Sequence, residues 1–167
     1  MPGLASTIPA ERALMEDTPT AAEVTRGLTR LFWRMGLACA AECPLGNGQR
    51  ADLVALGRCG RLTIVEVKVS TADLRQDAKW RGYLDYCDRF YWAVPPGFPL
   101  AAFDAEAYGH GRAGLIVADW HDAAIVREAA WSPLPPARRK SETIRFAMRS
   151  ADALMRMLDP GLVDPAT

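Results

Sequence analysis

The sequence predicts an α/β sheet domain opened by a helix, on three observations. A helical stripe near the start is followed by three strand-like runs with short connections. A second helical stretch separates these from further strands. A long stripe at helical spacing then closes the chain.

Over residues 20–35, Val24, Leu28, Leu31 and Met35 recur at i, i+4, i+7 and i+11, one face of an amphipathic helix that Gly36 ends. Residues 37–43, 50–56 and 62–69 read as strands, separated by the turn formers at 44–48 and 57–60. Connections this short predict an antiparallel meander. Ser70 and Thr71 supply a cap for a second helix running to about Cys87, with Trp80, Tyr83, Leu84 and Cys87 on its packed side. Residues 90–94 form a fourth strand that Pro95 and Pro96 terminate, and a loop-rich region reaches to Arg112. Two more strands, 114–118 and 123–129, precede a last helix over 141–158 with Ile144, Met148, Ala151, Met155 and Leu158 on one stripe.

The chain has 167 residues, half of them apolar, with 20 basic and 20 acidic side chains and zero formal net charge. That length favours one domain, expected over residues 18–160, with a flexible leader at 1–17 and a tail at 161–167. The composition excludes a uniformly basic, histone-like protein and a disordered chain. No apolar run reaches the ~18 residues of a membrane span, and the start lacks the basic and apolar regions of a secretory signal. Cys39, Cys43, Cys59 and Cys87 show no C-x-x-C spacing, so reduced thiols in a cytoplasmic protein are expected and a zinc site is not. Only Lys68, Lys79 and Lys140 among the 20 basic residues are lysines, which makes the position of each one informative.

In the third strand Ile64, Glu66 and Lys68 point one way and Val65, Val67 and Val69 the other. Glu66 and Lys68 therefore share a face, roughly 7 Å apart along the strand. Asp52 stands among apolar neighbours in the second strand, although Asp is a poor strand former. If the hairpin closes with Gly57 opposite Arg61, paired positions sum to 118 and Asp52 lies opposite Glu66. A loop one residue shorter would put Glu66 on the far face. Facing carboxylates repel, and a hard divalent cation with oxygen ligands relieves them, so the expected cofactor is Mg²⁺ or Mn²⁺. Lys68 is then placed to orient or help deprotonate a water and to neutralise phosphate charge.

Asp52, thirteen intervening residues, Glu66-Val-Lys68 and a preceding helix carrying Glu23 resemble the metal site of the PD-(D/E)XK nuclease superfamily. Arg50-Ala-Asp52, Glu66-Val-Lys68, Asp77-Ala-Lys-Trp80, Tyr83 and the run from Cys87 to Pro95 resemble more closely the MmcB-like DNA repair proteins of that superfamily. The resemblance covers residues 20–158. It implies a restriction-endonuclease-like α-β-β-β-α-β core with a mixed central sheet, extra strands and a C-terminal helix. It also implies a metal-dependent DNA endonuclease in DNA repair, or a non-cleaving DNA-binding or recruitment module on the same fold. By that likeness Asp52, Glu66 and the Val67 carbonyl bind metal, Lys68 is catalytic and Glu23 is an accessory ligand. Ala51 stands where the superfamily name has Pro. The implied partners are DNA and DNA repair or damage-tolerance proteins, and a homodimer is in keeping with many nucleases of the superfamily.

Several of these residues carry a second reading. Thr20-Ala-Ala-Glu23 also fits a capping box, in which Glu23 serves only the first helical turn. Glu66 and Lys68 alone would read as a cross-strand ion pair. Asp77 and Lys79 read as a solvated helix face, Gln76 as a polar neighbour of the metal, His110 as a surface loop residue, and the aromatics from Trp80 to Trp92 as core. Arg138, Arg139, Lys140, Arg145, Arg149 and Arg156 outnumber Glu142 and Asp152 on the last helix. They read either as a solvated face or, for the first five, as a DNA phosphate contact.

Overall fold

A computed structural model describes residues 18–162; the leader and most of the tail lie outside them. The elements are α1 (Ala21–Arg34), β1 (Ala38–Pro44), β2 (Arg50–Leu56), β3 (Leu62–Val67), α2 (Thr71–Gln76), β4 (Arg89–Val94), β5 (Gly114–Ala118), β6 (Ala123–Arg127) and α3 (Pro136–Leu158). A 3-10 segment, Trp80–Tyr86, follows α2, and two more, Leu100–Asp104 and Glu106–Tyr108, lie between β4 and β5. The six strands form one mixed sheet in the order β1-β2-β3-β4-β5-β6. The first three are antiparallel, β3, β4 and β5 run parallel, and β6 turns back.

Each face of the sheet has its own apolar layer. Val24, Leu28 and Phe32 of α1 pack with Leu53, Val65, Val67, Tyr91 and Ile116. On the opposite face, Val54, Ile64, Phe90 and Trp92 pack with Leu74, Trp80, Tyr83, Phe103 and Phe146. Alternation along β3 decides this division, and it sends Glu66 and Lys68 to the second face with Ile64. α1 comes unusually close to the β5–β6 turn at Gly27, where an added Cβ would lie 2.1 Å from the Asp119 carbonyl oxygen and 2.5 Å from that of Asp122.

Two expectations are corrected. The single helix expected over residues 70–87 is instead a six-residue α2, a break at Asp77 and a 3-10 segment. Asp77 is extended (φ −81°, ψ 94°), and its Oδ1 accepts from the backbone N–H groups of Lys79 and Trp80, restarting the chain after one short helix. The expected packed side survives, because Trp80, Tyr83 and Cys87 are all buried. In α3 the stripe of Ile144, Met148 and Met155 does not enter the core, and the inward residues are Glu142 and Phe146. Helical spacing identifies a stripe on α3; it does not distinguish the outer face from the inner one. The helix also begins five residues early, with Pro136 in its first turn.

Candidate functional site

The β2–β3 hairpin closes with Gly57 N–H bonded to the Arg61 carbonyl at 2.9 Å, around the three-residue loop Arg58-Cys59-Gly60. The pairs Leu53–Val65, Val54–Ile64, Ala55–Thr63 and Leu56–Leu62 all sum to 118. Asp52 thus continues the ladder opposite Glu66, on the same face. Past Leu53 the pairing changes character: the Val67 N–H donates to Asp52 Oδ2 at 2.8 Å. The hairpin end is opened by a side chain, and Asp52, Glu66 and Val67 meet there.

Glu66 is buried, and its Oε2 has no hydrogen-bond partner. Burial pushes its carboxyl up to about 8, the neighbouring Asp52 charge adds to this, and Lys68 opposes it. Asp52, half-buried, is raised by the same burial against the pull of the Val67 N–H and Lys68. These are two hard oxygen donors held closer than their charges favour, one with an orphaned lone-pair oxygen. Asp52, Glu66 and the adjacent Val67 carbonyl fit Mg²⁺ or Mn²⁺. Among the described residues no group of three or more His, Cys, Asp and Glu is gathered for a metal, so an ion there would need the carbonyl and waters to complete its shell.

Lys68 follows β3, its N–H extending the ladder to the Ala93 carbonyl at 2.8 Å. Its Nζ lies 2.8 Å from Asp77 Oδ2, 3.6 Å from Glu66 Oε1 and 3.7 Å from Asp73 Oδ1. Burial alone would lower its pKa, but Asp77, Glu66 and Asp73 outweigh that and hold it above the usual lysine value. Lys68 is therefore a fixed ammonium, with the Trp92 ring 5.9 Å away.

Sequence reasoning misses Asp77, Asp73 and Tyr83. Asp77, a solvated helix face by its spacing, is nearly buried and is Lys68's nearest partner. The available signal was the Asp77-x-x-Trp80 spacing, which suits an Asp turning the chain as well as a helix. The Tyr83 hydroxyl lies 3.3 Å from both Glu66 Oε1 and the Arg50 carbonyl oxygen, and burial with the surrounding carboxylates raises its pKa. Glu42 of β1 stands between the Ala41–Leu53 and Cys43–Ala51 pairs, across from Asp52. Its backbone is left-handed (φ 53°), its carboxylate is paired with Arg50, and its charge raises Asp52.

The remaining candidates are placed elsewhere. Glu23 lies in the first turn of α1, whose packing is on the other face of the sheet. Its Oε2 accepts from the Thr20 N–H at 2.7 Å and hydroxyl at 2.9 Å, completing a capping box. Gln76 is exposed at the end of α2. Arg139 holds the buried Asp88 through two hydrogen bonds, 2.7 and 2.6 Å, and donates to the Gly60 carbonyl at 2.7 Å. Asp88 is kept low by that guanidinium and by the Leu62 and Leu134 N–H groups, which together overcome its burial. Arg149 Nε donates to the carbonyls of Ala41 and Glu42, each at 3.1 Å, and Arg145 stands 3.6 Å from Glu142. Arg138 lies over the Tyr86 ring, and Lys140 is exposed.

Among the described residues no helix is long and apolar enough to cross a membrane. No curated protein matches the chain. The fold resembles that of the SPO1766 protein of unknown function from Silicibacter pomeroyi, with a TM-score of 0.81 and 38% identity over 90% of this chain and 99% of that one. Residues 10–161 match the family model of the MmcB-like DNA repair proteins, a span that contains Asp52, Glu66, Lys68 and Asp77. The chain belongs to the MmcB-like family of DNA repair proteins.

Proposed function

We propose that this protein is a metal-dependent DNA endonuclease acting in DNA repair, on a PD-(D/E)XK, restriction-endonuclease-like core. The observation that carries the reading is the partnerless Oε2 of buried Glu66 beside Asp52, with the Lys68 ammonium on the same face. Asp52, Glu66 and the Val67 carbonyl would hold Mg²⁺ or Mn²⁺. When bound, the ion supplies Lewis-acid stabilisation of phosphoryl charge and a more acidic water.

The chain's own groups do the rest. Asp77 and Asp73 keep Lys68 protonated and fixed, so Lys68 contributes positive charge and a directed N–H toward phosphate or water and is not the proton acceptor. Tyr83 fixes Oε1 of Glu66 and leaves Oε2 as the oxygen that would serve a metal. Arg138 and Lys140, at the start of α3, contact the DNA backbone. Arg139, committed to Asp88, anchors the helix that carries them. Glu23 acts as a helix cap.

Cleavage of branched, gapped and single-stranded DNA with Mg²⁺ or Mn²⁺ tests this. Asp52→Ala and Lys68→Ala should each lower the rate by about 100-fold or more, and Mn²⁺ titrated calorimetrically should bind the wild type and not Asp52→Ala. Activity that survives in Lys68→Ala would sink the mechanism. A second reading, a non-cleaving DNA-binding or recruitment module, is favoured by the absence of a third acidic or imidazole ligand among the described residues. It predicts DNA binding indifferent to Lys68→Ala and no cleavage of any substrate.

A further inference from the structure

α3 is amphipathic twice over. Its inward face, Glu142 and Phe146, is buried against the sheet, while the opposite face exposes 54% of Ile144, 59% of Met148, 52% of Met155 and 78% of Leu158. With Ala151, these residues step along the helix at intervals of 4, 3, 4 and 3. That is the spacing of a helix–helix seam, and a solvated face does not need it. Residues 141–158 extend it for about 27 Å.

We infer that this outer face of α3 pairs antiparallel with α3 of a second copy of the chain. The charges and side-chain sizes select that occupant and its register. In an antiparallel pair whose facing seam positions sum to 299, Met148 lies against Ala151 of the second copy, Ile144 against Met155, and Leu158 against Ser141. Flanking the seam, Ala147 meets Leu154 of the second copy, a small side chain against a large one. On the other flank Arg145 meets Asp152 of the second copy, and two-fold symmetry makes this ion pair twice. The same register thus matches small against large and positive against negative. A parallel pair would set Met148 on Met148 and place neither charge beside its opposite. The groove beside the seam, lined by Pro44, Ile144, Arg145, Met148, Arg149 and Asp152, gives the incoming helix a floor of about 460 Å³.

Pairing through α3 does not depend on the protein being a nuclease. Sedimentation equilibrium of the full chain tests it, with circular dichroism to confirm that the variants fold, since every substituted side chain is exposed. The wild type should dimerise with a Kd on the order of micromolar. Arg145→Asp and Asp152→Arg should each weaken the dimer by about tenfold or more. The doubly swapped chain R145D/D152R, which restores both pairs in reverse, should recover wild-type association to within about threefold. Met148→Glu should leave a folded monomer. A wild type that stays monomeric overturns the inference. So does a dimer indifferent to these changes, or a double swap as weak as the sum of its parts.

Discussion

At Glu66 a buried carboxylate holds one oxygen, Oε2, that no protein donor reaches. In the metal-free protein the folded state keeps this proton up to about pH 8, whereas the unfolded chain releases it near 4.5. Between those values the folded state binds more protons, so stability falls as pH rises. The stabilisation tied to the protonated group is complete below the lower value and lost through the upper one. Glu66→Gln has no proton to lose, and in chelator it should exceed the wild type by on the order of 2–4 kcal/mol at about pH 9, with the difference shrinking toward about pH 5. Thermal unfolding across that range reads the slope directly, and added Mn²⁺ should reverse it in the wild type only. Asp88 has the opposite sign. Arg139 and two backbone N–H groups hold it ionised, so its contribution is present above the ordinary carboxylate range and disappears in acid.

Gly27 sets the position of α1. Alanine there would gain about 1 kcal/mol in helix propensity, yet its Cβ would strike two backbone carbonyls of the β5–β6 turn, which cannot rotate away. Gly27→Ala should therefore destabilise the fold by about 2–4 kcal/mol net in denaturant melts, the reverse of its expected effect on an isolated helix. The contrast marks what sequence could and could not supply. Spacing and turn chemistry locate the β2 and β5 boundaries. The register of the β2–β3 hairpin followed only on the condition that Gly57 closes opposite Arg61, because β3 is buried on both faces and apolar burial alone does not choose between registers. That Glu66 and Lys68 share a face was legible because strand alternation is strict. The break at Asp77 was not, since helix periodicity carries Trp80 and Tyr83 inward just as a 3-10 segment does. Nor was Asp77's role, which depends on a 2.8 Å contact with a residue nine positions earlier. The inward residues of α3 escape sequence reasoning because the helix carries two faces capable of burial and only one sheet to cover them.

Over the whole molecule, zero net charge is an average of unlike surfaces. Acidic groups gather at the hairpin end, and Arg138 and Lys140 lie at the start of α3, so DNA binding should be local and sensitive to salt. Replacing Arg138 and Lys140 with Ala should lower the slope of log affinity against log salt by about 1 for each phosphate no longer neutralised. Arg139→Ala should instead lower the melting temperature, because its charge is already committed to Asp88. Fluorescence anisotropy at several salt concentrations, paired with melts of each variant, separates the two roles. The sheet itself has its six strands side by side in chain order. A chain leaving the ribosome can therefore complete the β1–β3 meander from local hairpins and then lay each later strand against the one just made, without holding a gap open for a distant segment. The closure of α1 over the β5–β6 turn must wait for the far end of the sheet, and the packing of α3 back onto β1 waits longer still. The last strands made thus act as the latch for the first helix made, and a nascent chain stopped before β6 would keep its carboxylate-bearing hairpin but lack the lock on that helix.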